Sequence, residues 1–347
     1  MKTLQAPFPY FGGKSKVSDI IWQILGQPKH YIEPFFGSGA VLLSRPDYQS
    51  TMVETVCDKD GYLANVWRAL QFAPDGVARW CDWPVNHAEL SARKIFMIKN
   101  ENYLIENLAK NPEWYDAKLA GYWIWGASCW IGSGLTRIGQ RHHISNAGVG
   151  VHKIGKIPHI SNAGMGVHKI GQIPRIGNAG VGVHKIGKRP HIGDTIKGVQ
   201  EPYNTNIYEW FRQLSERLRN VRVVCGDWTR VCGGNWQSKM GICGMFFDPP
   251  YGIDDRDTEI YHHDSTSIAA DVMAWARARG NNPKFRIALA GYEEYDTLIE
   301  HGWNKYSWEA VGGYANTGKA RGRNNRHRET LYFSPHCLPL NNQTKLF

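Results

Sequence analysis

The sequence predicts an α/β protein with a mixed sheet and one large insertion. Short apolar runs alternate with helix-like segments on both sides of that insertion, and glycine-rich or acidic turns follow the runs. The middle of the chain differs from both flanks, because it contains basic, glycine-rich repeats. A chain of 347 residues is long enough for one large domain with an insertion or for two domains.

The first predicted strand covers residues 31–36 and leads into a glycine turn. Gly37 and Gly39 precede the apolar run 40–43, which begins a helix. A Gly-x-Gly turn between strand and helix lets a ligand approach the backbone, with the helix amides pointing at it. A second strand, 51–56, leads to Asp58, about twenty residues after the glycines, where an acid can accept hydrogen bonds from ribose hydroxyls. This spacing favours a cofactor that contains adenosine.

The second half of the chain continues the α/β pattern. It predicts further helices and strands in the order helix 207–218, strand 221–224, strand 243–247, helix 267–278 and strand 285–289. Two last strand-like runs, 306–311 and 329–333, indicate an antiparallel hairpin added to the sheet edge. The loop between them is basic and is either a solvated loop or a phosphate contact; its cations are Lys319, Arg321, Arg323, Arg326 and Arg328.

The tetrapeptide Asp248-Pro249-Pro250-Tyr251 is the most specific motif in the chain. At average residue frequencies, it should occur by chance in a chain of this length about once in a thousand cases. A buried strand that ends in this rigid turn would present a carboxylate, a backbone carbonyl and an aromatic face at the carboxyl edge of the sheet. Those three groups suit an exocyclic amine on a flat ring. The alternative is a plain Pro-Pro turn after a strand.

Positive charge is concentrated in the repeats. The net charge of +10 indicates a polyanionic partner, and three copies of a 16-residue unit at 144–191 contain seven Lys or Arg and no acid. The repeats either contact phosphates through Lys153, Lys169 and Lys185 or form a flexible surface loop. Each of these lysines follows a histidine, which argues against a metal site. Arg137 and Arg141, before the repeats, are candidate groove contacts.

Cysteine and hydropathy patterns indicate a cytoplasmic protein. The seven cysteines contain no C-x2-C pair, so we expect reduced, buried thiols and neither a disulfide framework nor a zinc site. The first residues lack the apolar stretch of a signal peptide, and the apolar cluster 122–130 is too short to cross a bilayer. Within that cluster we expect Trp123, Trp125 and Trp130 to form a local core, the alternative being wedges between bases.

Taken together, these motifs resemble the Dam-type adenine-specific DNA methyltransferases in their alpha arrangement. The resemblance covers roughly residues 6–75 and 205–334 and excludes the repeats; the matching parts are residues 7–14, 33–39, Asp58, 226–228 and 248–251. It implies a Rossmann-like, S-adenosylmethionine-dependent methyltransferase fold with a mixed sheet. Residues 1–75 and 205–347 would then form the catalytic domain, and 76–204 an inserted target-recognition domain.

The resemblance also implies the cofactor, S-adenosylmethionine, and the residues that hold it. Asp58 would contact the ribose, and Asp227 with Trp228 the adenine. The family often has tryptophan where this chain has Tyr10, so an aromatic ring is retained. Each residue could instead be a core aromatic, a turn glycine or a capping acid. The methionine end would be bordered by Tyr10, Lys14, Glu33, Phe35, Gly37 and Gly39.

The implied reaction is methylation of N6 on an adenine that is flipped out of double-stranded DNA. Asp248 and the Pro249 carbonyl would accept the amino hydrogens, Pro250 would stiffen the turn and Tyr251 would stack on the base, without a metal. Two alternatives remain: methylation of cytosine N4 or RNA, and an inactive DNA-binding relative. We expect a bacterial or phage protein, as monomer or homodimer, with no prediction for a paired restriction nuclease. The expected DNA contacts are Arg137, Arg141, Lys153, Lys169, Lys185, Lys319, Arg321 and Arg323.

Overall fold

The computed structural model describes residues 4–8, 10, 13–129, 135–136, 206–234, 236–250, 265–308 and 329–340. They form two compact units. We call Met1–Ala6, Tyr10–Lys59 and Asn220–Phe347 the sheet unit, and Pro7–Pro9 with Asp60–Arg219 the helical unit. These bounds lie at other positions than the predicted domain limits, and the assignment of target recognition to 76–204 stays a prediction. All eight predicted DNA contacts, from Arg137 to Arg323, fall outside the described residues, as do Tyr251 and the repeats.

Within the described residues, the sheet unit contains a seven-stranded sheet in the order β3-β2-β1-β4-β5-β7-β6. Its strands are β1 His30–Glu33, β2 Val53–Asp58, β3 Val221–Cys225, β4 Cys243–Phe247, β5 Phe285–Gly291, β6 Asn304–Ser307 and β7 Thr330–Phe333. Neighbouring strands are parallel except at β7, which is antiparallel to both β5 and β6. This mixed sheet is consistent with the predicted Rossmann-like methyltransferase fold, and the predicted edge hairpin is confirmed.

Continuous apolar runs build the centre of the sheet because parallel strands are covered on both faces. All residues of β4 are buried, and Met245 and Phe247 pack with Ile287 and Leu289 of β5. β1 ends at Glu33, earlier than predicted, because Pro34 follows and has no backbone N–H for the ladder. The helices of this unit are α1 Ser18–Leu25, α2 Ala40–Leu43, α9 Thr229–Cys232 and α10 Ser265–Arg279, with 3-10 helices at Gln237–Met240 and Glu293–His301.

The strand order determines where a ligand site can form. β1 lies between β2 and β4, so the order of strands reverses between β1 and β4. Ligands of open α/β sheets bind outside the carboxyl ends of the strands at such a reversal. Gly37 and Gly39 follow the carboxyl end of β1, and Asp248 follows that of β4. The topology therefore brings the two most informative sequence motifs to one edge of the sheet.

The described part of the helical unit consists of six helices: α3 Gly61–Phe72, α4 Pro74–Cys81, α5 His87–Lys99, α6 Glu101–Lys110, α7 Ala117–Cys129 and α8 Ile207–Leu218. Side chains cap several of them, and at the start of α8 Asn206 accepts from the amide of Tyr208. Asp60 accepts from the amide of Tyr62 at the start of α3, and Asn86 accepts from the amide of Glu89 at the start of α5. α8 has the bounds that the sequence predicted.

Two of the three predicted core tryptophans are confirmed. Trp123 and Trp125 are both buried in α7. The Trp123 ring meets Phe8 edge-on at 4.9 Å, and the Trp125 indole donates to the carbonyl of Trp83 at 2.8 Å. Trp130 lies outside the described residues. In the part of the chain that is described, no helix has the length and apolar character to span a membrane.

The cysteines are free, and most are buried, which confirms the predicted burial of the thiols. Cys57, at the end of β2, shows the typical environment: its thiol lies 3.3 Å from the carbonyl of Gly226. Burial, with the nearby carboxylate of Asp58 adding to it, raises the pKa of Cys57 to about 12. The buried set is Cys57, Cys81, Cys129, Cys232 and Cys243.

His30 makes the stability of the sheet unit sensitive to acid. Its ring is buried, with Nε2 3.3 Å from Thr55 Oγ1 and the ring centroid 5.1 Å from that of Trp236. Burial, and secondarily the charge of Arg222, lower the pKa of His30 from 6.5 to about 4. Between these two values the unfolded chain binds a proton that the folded chain does not, so the free energy of unfolding decreases as pH falls.

We therefore expect wild type to lose about 2 kcal/mol more stability than His30→Gln between about pH 7.5 and about pH 5, since one pKa unit corresponds to about 1.4 kcal/mol. Urea denaturation of both proteins at both pH values measures this difference. The comparison removes the effect of Glu33, whose raised pKa acts in the opposite direction. Equal pH dependence of the two proteins would contradict the prediction.

Candidate active site at the carboxyl edge of the sheet

The glycine turn after β1 has a backbone that other residues rarely adopt. Gly37 has φ of 48° and Gly39 has φ of 63°, both left-handed. A Cβ atom added to Gly37 would lie only 2.6 Å from Cε1 of Tyr10, so the tyrosine ring lies directly against the turn. Tyr10 itself is 43 % exposed. Ring and turn together form an accessible cradle into which a side chain at position 37 would intrude.

Asp58 fixes this turn from the neighbouring strand. The Gly37 amide donates to Asp58 Oδ2 at 2.8 Å, and the Phe36 amide donates to the carbonyl of Cys57 at 3.0 Å. The carbonyl of Asp58 also accepts from the amide of Gly226, after β3, at 2.9 Å. The end of β2 therefore joins the turns that follow β1 and β3. The structure therefore brings Asp58, the residue predicted to bind a ribose, to the glycine turn. One of its carboxylate oxygens accepts a hydrogen bond from an amide of that turn.

Glu33 is a predicted cofactor residue whose carboxyl lies in the core, since the residue is only 2 % exposed. The Tyr31 hydroxyl donates to Glu33 Oε2 at 2.9 Å. Burial raises the pKa of Glu33 well above its usual range; the Tyr31 hydrogen bond opposes this shift, and the charge of Asp248 adds to it. The Glu33 carboxyl is a buried group that supports the end of β1, and Tyr10 is the exposed group at the same turn.

An aromatic cluster lines the edge beyond β2 and β3. Trp228 is mostly buried, with its ring centroid 6.3 Å from that of Phe35, 6.2 Å from that of Phe247 and 6.4 Å from that of Trp275. An open cavity of about 400 Å³ lies next to this cluster. Two tryptophan rings give this cavity flat walls, and charged and hydroxyl side chains supply hydrogen-bonding groups, a combination that suits a polar heteroaromatic ligand. The residues that line the cavity are Lys59, Asp227, Trp228, Thr229, Ile268, Asp271 and Trp275.

Asp227 has a structural role in addition to its place at the cavity. Its Oδ1 accepts from the Thr229 amide at 3.0 Å and from the Thr229 hydroxyl at 2.6 Å, which stabilises the start of α9. Asp227 is therefore a capping acid and Trp228 a core aromatic, and each also lines the cavity; their contact with the adenine of a cofactor stays a prediction. Sequence reasoning did not identify Lys59, Asp271 or Trp275.

The acidic end of β4 is paired with a lysine from the amino-terminal segment. Lys14 Nζ lies 3.0 Å from Asp248 Oδ2, and the two side chains are 4 % and 22 % exposed. Asp248 therefore remains reachable from outside, while Pro249 is buried and Pro250 is half-buried. Glu329, immediately before β7, places Oε2 3.9 Å from the same ammonium. Three distant chain segments thus meet around one buried cation.

Two of the groups at this edge were not predicted from the sequence. Glu329 belongs to no sequence motif. It lies at this edge because it immediately precedes β7, which runs antiparallel to β5. The buried hydroxyl of Tyr295 has no hydrogen-bond partner among the described residues. Burial raises the pKa of Tyr295, and the charges of Glu294 and Asp248 add to that shift. Tyr295 follows the carboxyl end of β5, the strand next to β4, which places it at the same edge of the sheet as Asp248.

A comparison with known families finds a similarity for about the amino-terminal third of the chain. Residues 10–120 match the model of the D12 class N6 adenine-specific DNA methyltransferases. The match includes Tyr10, Lys14, the glycine turn and Asp58, and it ends before the tetrapeptide at Asp248. The chain has no match among curated proteins.

Proposed function

We propose that this chain, whose residues 10–120 match the model of the D12 class N6 adenine-specific DNA methyltransferases, belongs to that family and transfers the methyl group at the carboxyl ends of β1 and β4. Site-specific methylation of adenine in DNA is the activity of that family. The observation that carries the site assignment is the 3.0 Å ion pair between Lys14 and Asp248. It joins the segment that the family match covers to the tetrapeptide that the match does not reach.

Enzymes of this family use S-adenosylmethionine as methyl donor, and the residues at the sheet edge fit it. The cavity beside Trp228 and Asp227 suits its adenine, Asp58 its ribose, and the cradle of Tyr10 and Gly37 its methionine end. When bound, the cofactor supplies an electrophilic methyl group on a sulfonium sulfur, which becomes a neutral thioether. Phe35 and Gly39 complete the border of this site, while Glu33 supports it from the core.

The chain's own residues prepare the adenine. The lone pair of the adenine amino group is delocalised into the ring, which makes the nitrogen a poor nucleophile. Asp248 and the Pro249 carbonyl accept the two amino hydrogens and favour a tetrahedral nitrogen whose lone pair points at the methyl group. Asp248 would also take up the proton that the nitrogen loses when it receives the methyl group, and would pass that proton to solvent. The proline ring limits backbone motion, so little ordering remains when the base arrives.

Access to the amino group requires that the nucleotide leave the duplex, at a cost of a few kcal/mol. In the proposal Tyr251 stacks on the extruded base. The chain's basic residues contact the phosphates and grooves: Arg137, Arg141, Lys153, Lys169, Lys185, Lys319, Arg321 and Arg323. Residues 76–204 select the target sequence. We further propose double-stranded DNA as the substrate, a bacterial or phage-infected cytoplasm as the setting, and a monomer or homodimer as the active species.

Identification of the product tests this proposal. Purified protein is incubated with unmethylated plasmid and labelled S-adenosylmethionine, and the DNA is digested to nucleosides for mass spectrometry. We expect the label in N6-methyldeoxyadenosine. Modified-base sequencing of the plasmid should place this base in one target sequence. Label in N4-methylcytosine, or in RNA added as a competitor, would point to the two other amine substrates. Absence of label from every nucleic acid would contradict the proposal.

A further inference from the structure

The ion pair at Asp248 creates a conflict in the proposed reaction. Asp248 Oδ2 is 3.0 Å from the ammonium of Lys14, so one of the two carboxylate oxygens that could accept an adenine hydrogen already faces a cation. The amino nitrogen also gains positive charge as it forms the new N–C bond. An ammonium that stayed at this distance would oppose both the hydrogen bond and the developing charge.

A second carboxylate lies where it can resolve this conflict. Glu329 Oε2 is 3.9 Å from Lys14 Nζ, and the Glu329 side chain is only 15 % exposed. The Lys14 side chain is 4 % exposed, so solvent screens these interactions weakly. The trio of Lys14, Asp248 and Glu329 has two negative charges and one positive charge. Lys14 can therefore leave Asp248 and still keep a close anionic partner.

The sheet topology explains how Glu329 reaches this position. β7 runs antiparallel to β5, with Thr330 opposite Gly291, so the start of β7 lies beside the carboxyl end of β5. β4 is parallel to β5 on its other side, with Phe247 opposite Leu289, and Asp248 is the next residue. Glu329 immediately precedes Thr330. Both carboxylates are thus held at the same edge of one sheet, next to two strands that flank β5, and Lys14 lies within 4 Å of each.

We propose that Glu329 is a positioning residue for methyl transfer: it takes over the Lys14 ammonium when the flipped adenine occupies Asp248. This inference rests on the proposed active site. Glu329 acts only through Lys14 and does not touch the base. The negative charge of Glu329 keeps the environment of the reacting nitrogen anionic. When the Lys14 ammonium moves this short distance, Asp248 Oδ2 becomes available to an adenine hydrogen and Lys14 stays shielded from solvent.

The test compares wild type with Glu329→Gln, which keeps size and removes charge, and Glu329→Asp, which keeps charge. The single-turnover rate is measured with excess enzyme and saturating cofactor on the mapped target. We expect Glu329→Gln to lower this rate about 30-fold and Glu329→Asp to recover most of it. Dissociation constants for DNA and S-adenosylmethionine should stay within about threefold of wild type, as should the fluorescence increase of 2-aminopurine at the target position. Glu300→Gln, an exposed acid of the same unit, is the matched control.

A double-mutant cycle with Lys14→Met tests whether Glu329 affects the rate through Lys14. In the Lys14→Met background, Glu329→Gln should change the rate less than twofold, because the cation on which Glu329 acts is absent. A full 30-fold loss in that background, or a rate within threefold of wild type for Glu329→Gln alone, would overturn the inference. So would equal losses for Gln and Asp accompanied by a lower thermal midpoint, which indicate a structural role. Failure of wild type itself to methylate adenine would refute the proposed function instead.

Discussion

Replacement of Asp248 by alanine should lower the single-turnover rate of methyl transfer about a thousandfold, because the variant lacks the charged acceptor for the adenine amino group. Removal of a single preorganised partner of a transition-state charge commonly costs about a hundred- to a thousandfold. Here the substitution also leaves the nearly buried Lys14 ammonium without its 3.0 Å partner, so a cation remains beside the reacting nitrogen. Both effects raise the barrier for the chemical step.

The fold should survive this change, since Glu329 remains 3.9 Å from Lys14. We expect the dissociation constant for S-adenosylmethionine, measured by calorimetry, to change less than about tenfold. Asp19→Asn, an exposed acid in the first turn of α1, is a control in the same unit and should keep wild-type rates. A loss of less than tenfold in Asp248→Ala would mean that the tetrapeptide is not the catalytic centre.

The sequence predicted elements best where one local signal was sufficient. β4 and α8 have their predicted bounds, because one is a short continuous apolar run and the other a strongly amphipathic segment with an asparagine cap. Strand ends were less certain: β1 stops at Glu33 although aromatic residues continue to Phe36. Helices α3–α7 were not predicted individually, although Pro74 at the start of α4 and the Asn86 cap with Glu89 are recognisable helix signals.

The residues of the candidate site also fall into those that a local motif predicts and those that only the three-dimensional fold brings together. Local motifs located the turn at Gly37, the strand end at Asp58 and the acid at Asp248, because each is adjacent to its own strand. The pairing of Lys14 with Asp248 and Glu329 depends on strand order and direction, which periodicity does not encode. The burial of Glu33 has a similar origin, since all four residues of β1 are buried and no alternation marks one face as accessible.

Replacement of Gly37 by alanine should weaken S-adenosylmethionine binding at least about tenfold. The left-handed backbone at φ of 48° costs an L-residue about 1–2 kcal/mol, and the new Cβ would lie 2.6 Å from the Tyr10 ring. The unliganded protein can relieve this strain by moving the ring or the turn. Binding would then have to restore the strained arrangement, and the penalty appears as lost affinity, about tenfold for each 1.4 kcal/mol.

Gly241→Ala separates this effect from general backbone strain. Gly241 also has positive φ, 99°, but it precedes the amino end of β4, where an added Cβ meets only Lys29 at 3.6 Å. Both variants should lower the thermal midpoint, whereas calorimetric titration should detect weaker cofactor binding only in Gly37→Ala. The Gly37 amide also donates to Asp58, so displacement of the turn would disturb the expected ribose ligand as well. Equal affinities in the two variants would mean that the cofactor does not bind against this turn.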